Sequence, residues 1–151
     1  MQITRQADYA VRAVLYLARL GPGHRASTAE IARERKIPPT FLAKIVSLLS
    51  ASGIVRATRG AHGGVTLAKP ASELSLLEVV EAIDGPINLA ECTLNPETCE
   101  FSDDCQVRVV WCETRTQLVE RLGQTYFSTL ARAPIPLVAP PAVQTQALAP
   151  S

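Results

Sequence analysis

In residues 3–20, ITRQADYAVRAVLYLARL, the apolar positions Ile3, Ala7, Ala10, Val11, Val14, Leu15 and Ala18 recur at helical spacing, with one face to bury. Gly21-Pro22-Gly23 ends that helix. In STAEIARERK, Ser27 and Glu30 stand three apart, as in a capping box. A short helix is predicted there, with Ala29, Ile31 and Ala32 turned inward. Ile37-Pro38-Pro39 interrupts it, and TFLAKIVSLLSASG predicts a second helix closed by Gly53. Leu42, Ile45, Val46 and Leu49 share its inner face. Thr40, Lys44 and Ser47 lie opposite, flanked by Phe41 and Ala43. Two short helices about a tight turn are the layout of a helix-turn-helix, whose second helix can enter a major groove. GIVRAT and GVTLAK follow, rich in β-branched residues and joined by RGAHGG. They predict a two-stranded hairpin with a basic tip, the wing of a winged helix.

SLLEVVEAIDG repeats the capping pattern with Ser75 and Glu78, and its apolar stripe is Leu76, Leu77, Val80 and Ile83. Gly85-Pro86 stops it. From 103 to 131 one long helical repeat is predicted, with Asp103 or Asp104 at its N-terminus. Val107, Val110, Trp111, Leu118, Leu122 and Phe127 give it a long, incomplete stripe. A helix of nearly thirty residues outruns so small a domain, so the stripe is expected to pack against a second copy, as a homodimer. Residues 132–151 form an Ala/Pro-rich tail, expected to be disordered. The predicted fold is mainly α: a winged helix-turn-helix DNA-binding domain over 1–85, a cysteine loop over 86–106, and a long C-terminal dimerisation helix over 103–131.

Composition adds one feature. Residues 1–70 carry eleven Lys/Arg against three Asp/Glu, a net of +8; residues 71–151 carry four against eleven, a net of −7. Such asymmetry points to a polyanion partner for the first half, or to attraction between the halves. With the hairpin present, double-stranded DNA is the expected partner. No signal-peptide pattern and no stretch near ~20 apolar residues occurs, so a cytoplasmic, nucleoid-associated protein without a membrane partner is expected. Only two histidines occur, His24 and His62, both in Gly-rich turns; no phosphate-binding glycine loop is present, and no enzyme is expected.

The stretch ECTLNPETCEFSDDC holds three of the four cysteines, Cys92, Cys99 and Cys105, separated by six and five residues. Three thiolates can converge on one centre and favour zinc, copper(I) or an iron–sulfur cluster. The spacing is wide for a zinc knuckle, and a disulfide would leave one thiol over. Cys112, two turns beyond Cys105, reads as a small buried side chain.

Over residues 1–131 the chain resembles the Rrf-two family of winged-helix regulators, which includes IscR-like and NsrR-like members. The resemblance rests on ITRQADYAVRAVLYLA, IPPTFLAKIVSLLSASGIVRATRGAHGGVTLAK, LSLLEVVEAIDG and the cysteine loop before a long helix; Arg59-Gly60 followed by Gly63-Gly64 is its most specific motif. It implies a dimer with crossed long helices that binds palindromic operator DNA. It also implies an iron–sulfur cluster on Cys92, Cys99 and Cys105, 4Fe-4S before 2Fe-2S. Typical members space the first two cysteines by five residues, against six here. IscR-like members place a His three residues after the third cysteine, where this chain has Arg108, which cannot ligate. NsrR-like members use an Asp of the first helix from the other subunit, matched here by Asp8. The implied role is a sensor, and as a regulator a repressor, of nitric oxide, redox or cluster status. DNA contacts are expected from Thr40, Phe41, Lys44 and Ser47 on the recognition helix, from Arg59 and His62 on the wing, and from Arg56 and Lys69 to phosphate. The alternatives are a cluster-free thiol-redox regulator of the same fold and, in another class, an iron–sulfur electron carrier or assembly factor.

Overall fold

The computed structural model describes residues 2–132. In order these form α1 (Arg5–Leu20), α2 (Thr28–Arg35), α3 (Pro39–Ala51), β1 (Val55–Thr58), β2 (Gly64–Leu67) and α4 (Leu76–Asp84). Three 3-10 turns follow (Glu91–Thr93, Pro96–Thr98, Ser102–Asp104), then α5 (Gln106–Gly123) and α6 (Phe127–Arg132). This is a mainly helical winged helix with a two-stranded antiparallel sheet. The tail expected from 132 on lies, but for Arg132, outside the described residues.

Local chemistry starts each helix. The Thr4 hydroxyl accepts the Ala7 N–H of α1, and the Thr4 N–H donates to Asp84 at 3.0 Å, tying this end to α4. At α2 the capping box is half formed. Ser27 accepts the Glu30 N–H at 3.1 Å, while the Glu30 carboxylate turns instead to the Tyr16 hydroxyl at 2.7 Å. Pro39 opens α3, where a missing N–H costs nothing. At α4 the box is complete: Ser75 accepts from Glu78 N–H, and Glu78 accepts from Ser75 N–H at 2.8 Å.

Glu78 also pairs with Lys69. Burial pushes its carboxyl upward, but the Lys69 ammonium and the Ser75 N–H and hydroxyl outweigh burial and hold it below its ordinary 4.5. The charged form therefore favours folding above pH 4.5, and that contribution fades as pH falls through the lowered value. Ser75→Ala is expected to cost about 0.5–2 kcal/mol in urea unfolding at pH 7. In Glu78→Gln the part of the acid-side loss that belongs to this group should be missing.

The core lies where α1 meets α3, α4 and α6, with Ala10, Val14, Leu42, Ile45, Leu49, Val79 and Phe127 fully enclosed. The inner face of α3 is as the sequence predicts, Leu42, Ile45, Val46 and Leu49. Elsewhere the faces rotate. On α1 the buried set includes Ala13 and Leu17, while Ile3 is exposed; Ala29 of α2 is exposed; on α4, Val79 is buried and Leu76, Leu77 and Ile83 are only half so. Two apolar arcs on one short helix satisfy the same period, and the neighbours choose between them.

The long helix over 103–131 is corrected. Its N-cap is Cys105, not Asp103 or Asp104, which form the third 3-10 turn. It ends at Gly123, and residues 124–126 turn back along the segment before α4. There Leu76 N–H donates to Thr125 O at 2.8 Å, Phe127 N–H to Leu74 O at 3.0 Å and Ser128 N–H to Ala71 O at 2.9 Å. These bonds replace helical ones at no loss of satisfied backbone, and the turn drives Phe127 into the core.

Candidate functional site

The wing is an antiparallel pair with Val55 opposite Leu67 and Thr58 opposite Gly64. Its tip depends on glycine. A Cβ on Gly63 would lie 2.2 Å from Thr58 O, and Gly60 sits at φ 103. The wing is anchored to the chain entering α2 by a two-way backbone bridge, Val65 N–H to Ala26 O at 2.8 Å and Ala26 N–H to Val65 O at 3.1 Å. The Arg25 guanidinium donates to the carbonyl of His62 at the tip. Sequence reading missed Arg25; its place next to Ala26 matters only once the bridge exists.

Thr40, Phe41, Lys44 and Ser47 are all exposed on one side of α3, and Arg56, Arg59 and His62 are exposed on the wing. With Arg25 they offer a cationic face without an acidic residue among them. Lys69 departs from this set: it lies beyond β2, half-buried, with its ammonium committed to Glu78. Phe41 meets Tyr9 of α1 edge-on, ring centroids 6.1 Å apart. The Arg12 guanidinium stands 5.6 Å from the Tyr9 centroid and bonds Asp8 at 2.6 Å. Asp8, Arg12, Tyr9 and Phe41 thus form a contact chain from the start of α1 to α3. Asp8 also edges a groove of about 660 Å³ floored by Val11, Leu76, Val80 and Leu122.

The cysteine loop is built as three successive 3-10 turns, each delivering one thiol. Cys92 lies within the first, while Cys99 and Cys105 directly follow the second and third. The first turn packs on α5 and on the second turn, which packs on the third. All four cysteines are free and half-buried. The Cys105 sulfur caps α5, accepting the Arg108 N–H at 3.4 Å. The donor set, three unpaired thiols with one capping the start of α5, suits a soft metal centre. Among the described residues, however, no three Cys, His, Asp or Glu side chains stand close enough to hold a metal ion. The loop gathers the thiols into one region without closing them on a point.

Residues 3–133 match the Rrf2 model, described as iron-dependent transcriptional regulator. The chain belongs to the Rrf2 family. It is a transcriptional regulator of that family by this match and by its relatives. Rv1287 of Mycobacterium tuberculosis, a candidate HTH-type transcriptional regulator, is 32% identical over 142 residues, covering 90% of this chain and 84% of Rv1287. Among solved structures, CymR of B. subtilis, the global cysteine regulator, superposes with a TM-score of 0.73 at 25% identity, over 87% of this chain and 96% of CymR. IscR of T. potens shares the fold, with a TM-score of 0.68 at 19% identity over 86% of each chain. No helix among the described residues of this Rrf2 chain is long and apolar enough to cross a membrane.

Proposed function

We propose that the protein is a homodimeric regulator that reads palindromic double-stranded DNA through α3 and the wing, and carries an iron–sulfur cluster on Cys92, Cys99 and Cys105 as its sensor. The observation that carries the reading is the three-turn loop, which delivers one free thiol per turn at the head of α5 beside a cationic winged helix. When bound, the cluster supplies a redox- and nitric-oxide-sensitive inorganic centre. Asp8 of the other subunit is the proposed fourth ligand. Its carboxylate is shared with Arg12, so a change at Asp8 has a path through Arg12 and Tyr9 to Phe41 on the recognition helix. Half-sites about one helical turn apart make the spacing of two recognition helices a sensitive output. Nitric oxide is the first signal to test, with cluster homeostasis second.

Thr40, Phe41, Lys44 and Ser47 are proposed to face base edges and backbone, and Arg56, Arg59 and His62 to reach the flanking groove and phosphates. Arg59→Ala should weaken binding and lower the salt slope, log K against log salt, by about 0.9 per protomer. Gel shifts on the chain's own upstream DNA at several salt concentrations measure it; an unchanged slope removes Arg59 from the interface.

The test of the whole reading is anaerobic reconstitution with ferrous salt and sulfide, scored by acid-labile sulfide, visible absorption and intact-protein mass. The Cys92→Ser, Cys99→Ser, Cys105→Ser triple variant should retain neither iron nor sulfide. A second reading, a cluster-free thiol switch, is favoured by the thiols being free and by the absence among the described residues of a closed ligand set. A colourless wild-type protein whose DNA binding follows reversible thiol oxidation would decide for it.

A further inference from the structure

Arg108 stands at the first turn of α5, and its hydrogen bonds reach the first and third turns of the cysteine loop and the Cys105 sulfur. Its Nε donates to Cys92 O at 3.0 Å, its Nη1 to Ser102 O at 3.4 Å, and its backbone N–H to the Cys105 sulfur at 3.4 Å. Ser102 in turn donates its N–H to Cys99 O at 3.1 Å. One residue therefore contacts Cys92 and Cys105 directly and Cys99 through a single intermediate. A planar guanidinium, with donors fixed in a fork, can span two carbonyls; a lysine ammonium on a flexible stem is a single point and cannot hold both in place.

We infer that Arg108 is a positioning residue for the thiol site: it braces the three 3-10 turns so that Cys92, Cys99 and Cys105 are held as a set by the protein alone. Ile87 anchors the start of the loop in the core, but the three turns themselves bury no apolar side chain, since Leu94 and Phe101 are exposed at 38% and 75%, and the Thr93 and Thr98 hydroxyls bond only within the loop. The side-chain hydrogen bonds from α5 to the first and third turns come from Arg108. Ser102 supports the same assignment. It is 6% exposed, and its hydroxyl is buried without a partner. A buried hydroxyl without a protein partner, between Cys99 and Cys105 in sequence, leaves a donor free within the loop. The inference deepens the cluster reading and rests on it for what the thiols finally hold, but the brace itself acts on the free thiols.

The experiment uses the full chain, anaerobic and without added iron. Site-resolved alkylation by iodoacetamide, read by mass spectrometry, gives a rate for each cysteine. In Arg108→Ala the rates of Cys92 and Cys99 should rise about tenfold or more, the factor expected when charge-assisted hydrogen bonds are lost, and that of Cys105 by less, because alanine keeps the backbone N–H on its sulfur. Cys112, next along the same face of α5, should keep its rate and serves as the internal control. Arg108→Lys should resemble Arg108→Ala, because charge alone does not restore the fork. Unchanged rates at the three loop cysteines overturn the inference. So does equal acceleration of all four, which would make Arg108 a general stabiliser of α5. After reconstitution, Arg108→Ala and Ser102→Ala should retain less iron and sulfide per chain through gel filtration than the wild type. A wild type that takes up neither sinks the cluster reading while leaving the alkylation result to judge the brace.

Discussion

Phe127→Ala should lower the unfolding free energy by about 3–5 kcal/mol, the range for emptying an aromatic site in a closed core. Phe127 is wholly buried, and it heads the enclosed side chains by volume. It sits where α6 closes on α1, at the turn that ends α5. The loss has two parts: apolar surface returned to water, and a cavity that cannot collapse. The backbone around it is pinned, through Phe127 N–H to Leu74 O and Leu76 N–H to Thr125 O, so relaxation is limited. Urea unfolding followed by far-UV circular dichroism measures the change. Phe127→Leu, which keeps most of the volume, should cost clearly less. A deficit below about 1 kcal/mol in Phe127→Ala would show that the site collapses and that α6 is not held by this side chain.

Val110→Glu should break the proposed dimer. No residue of α5 is fully buried within the chain, and its outer side carries Val107, Val110 and Trp111 at 58%, 55% and 41% exposure. Val109 adds a further 50%. Such apolar surface, next to a half-buried stripe that faces the body through Arg108, Cys112, Arg115 and Leu118, is what a second copy would cover. A carboxylate buried unpaired in that contact costs several kcal/mol, enough to raise the dimer dissociation constant by about a hundredfold or more. Sedimentation and light scattering should then report a monomer at micromolar concentration. Circular dichroism should be unchanged, because Val110 contributes nothing to the chain's own core. DNA binding should fall in parallel, since one protomer reads only one half-site. A variant that keeps wild-type mass would show that this face is not the contact.

Much of the winged helix was legible in the sequence because its signals are local. Pro39 and Ser27 mark helix starts, Gly60 and Gly63 mark the wing tip, and the inner face of α3 follows from its period alone. The recognition-helix residues came out exposed for the same reason. Lys69 did not join them, because its fate depends on Glu78, nine residues on and brought near only by the turn into α4. The end of α5 was illegible too. Nothing in QTYF forbids a helix, and the chain leaves it because residues 71–76 offer bonds that a local pattern does not contain.

The cysteine loop shows the division most clearly. Sequence alone determined that three thiols fall between two helices, and that position 108 holds a side chain unable to ligate metal. It also determined the charge asymmetry of the two halves. Only the tertiary structure decided that Arg108 reaches back sixteen residues to Cys92, that Arg25 holds the wing tip, and that Asp8 connects through Arg12 and Tyr9 to Phe41. The physical reason is range. Helical period, capping and turn chemistry are settled among residues a few positions apart. The partner of a long cationic or aromatic side chain is settled by whichever carbonyl, carboxylate or ring the packed core brings within its reach.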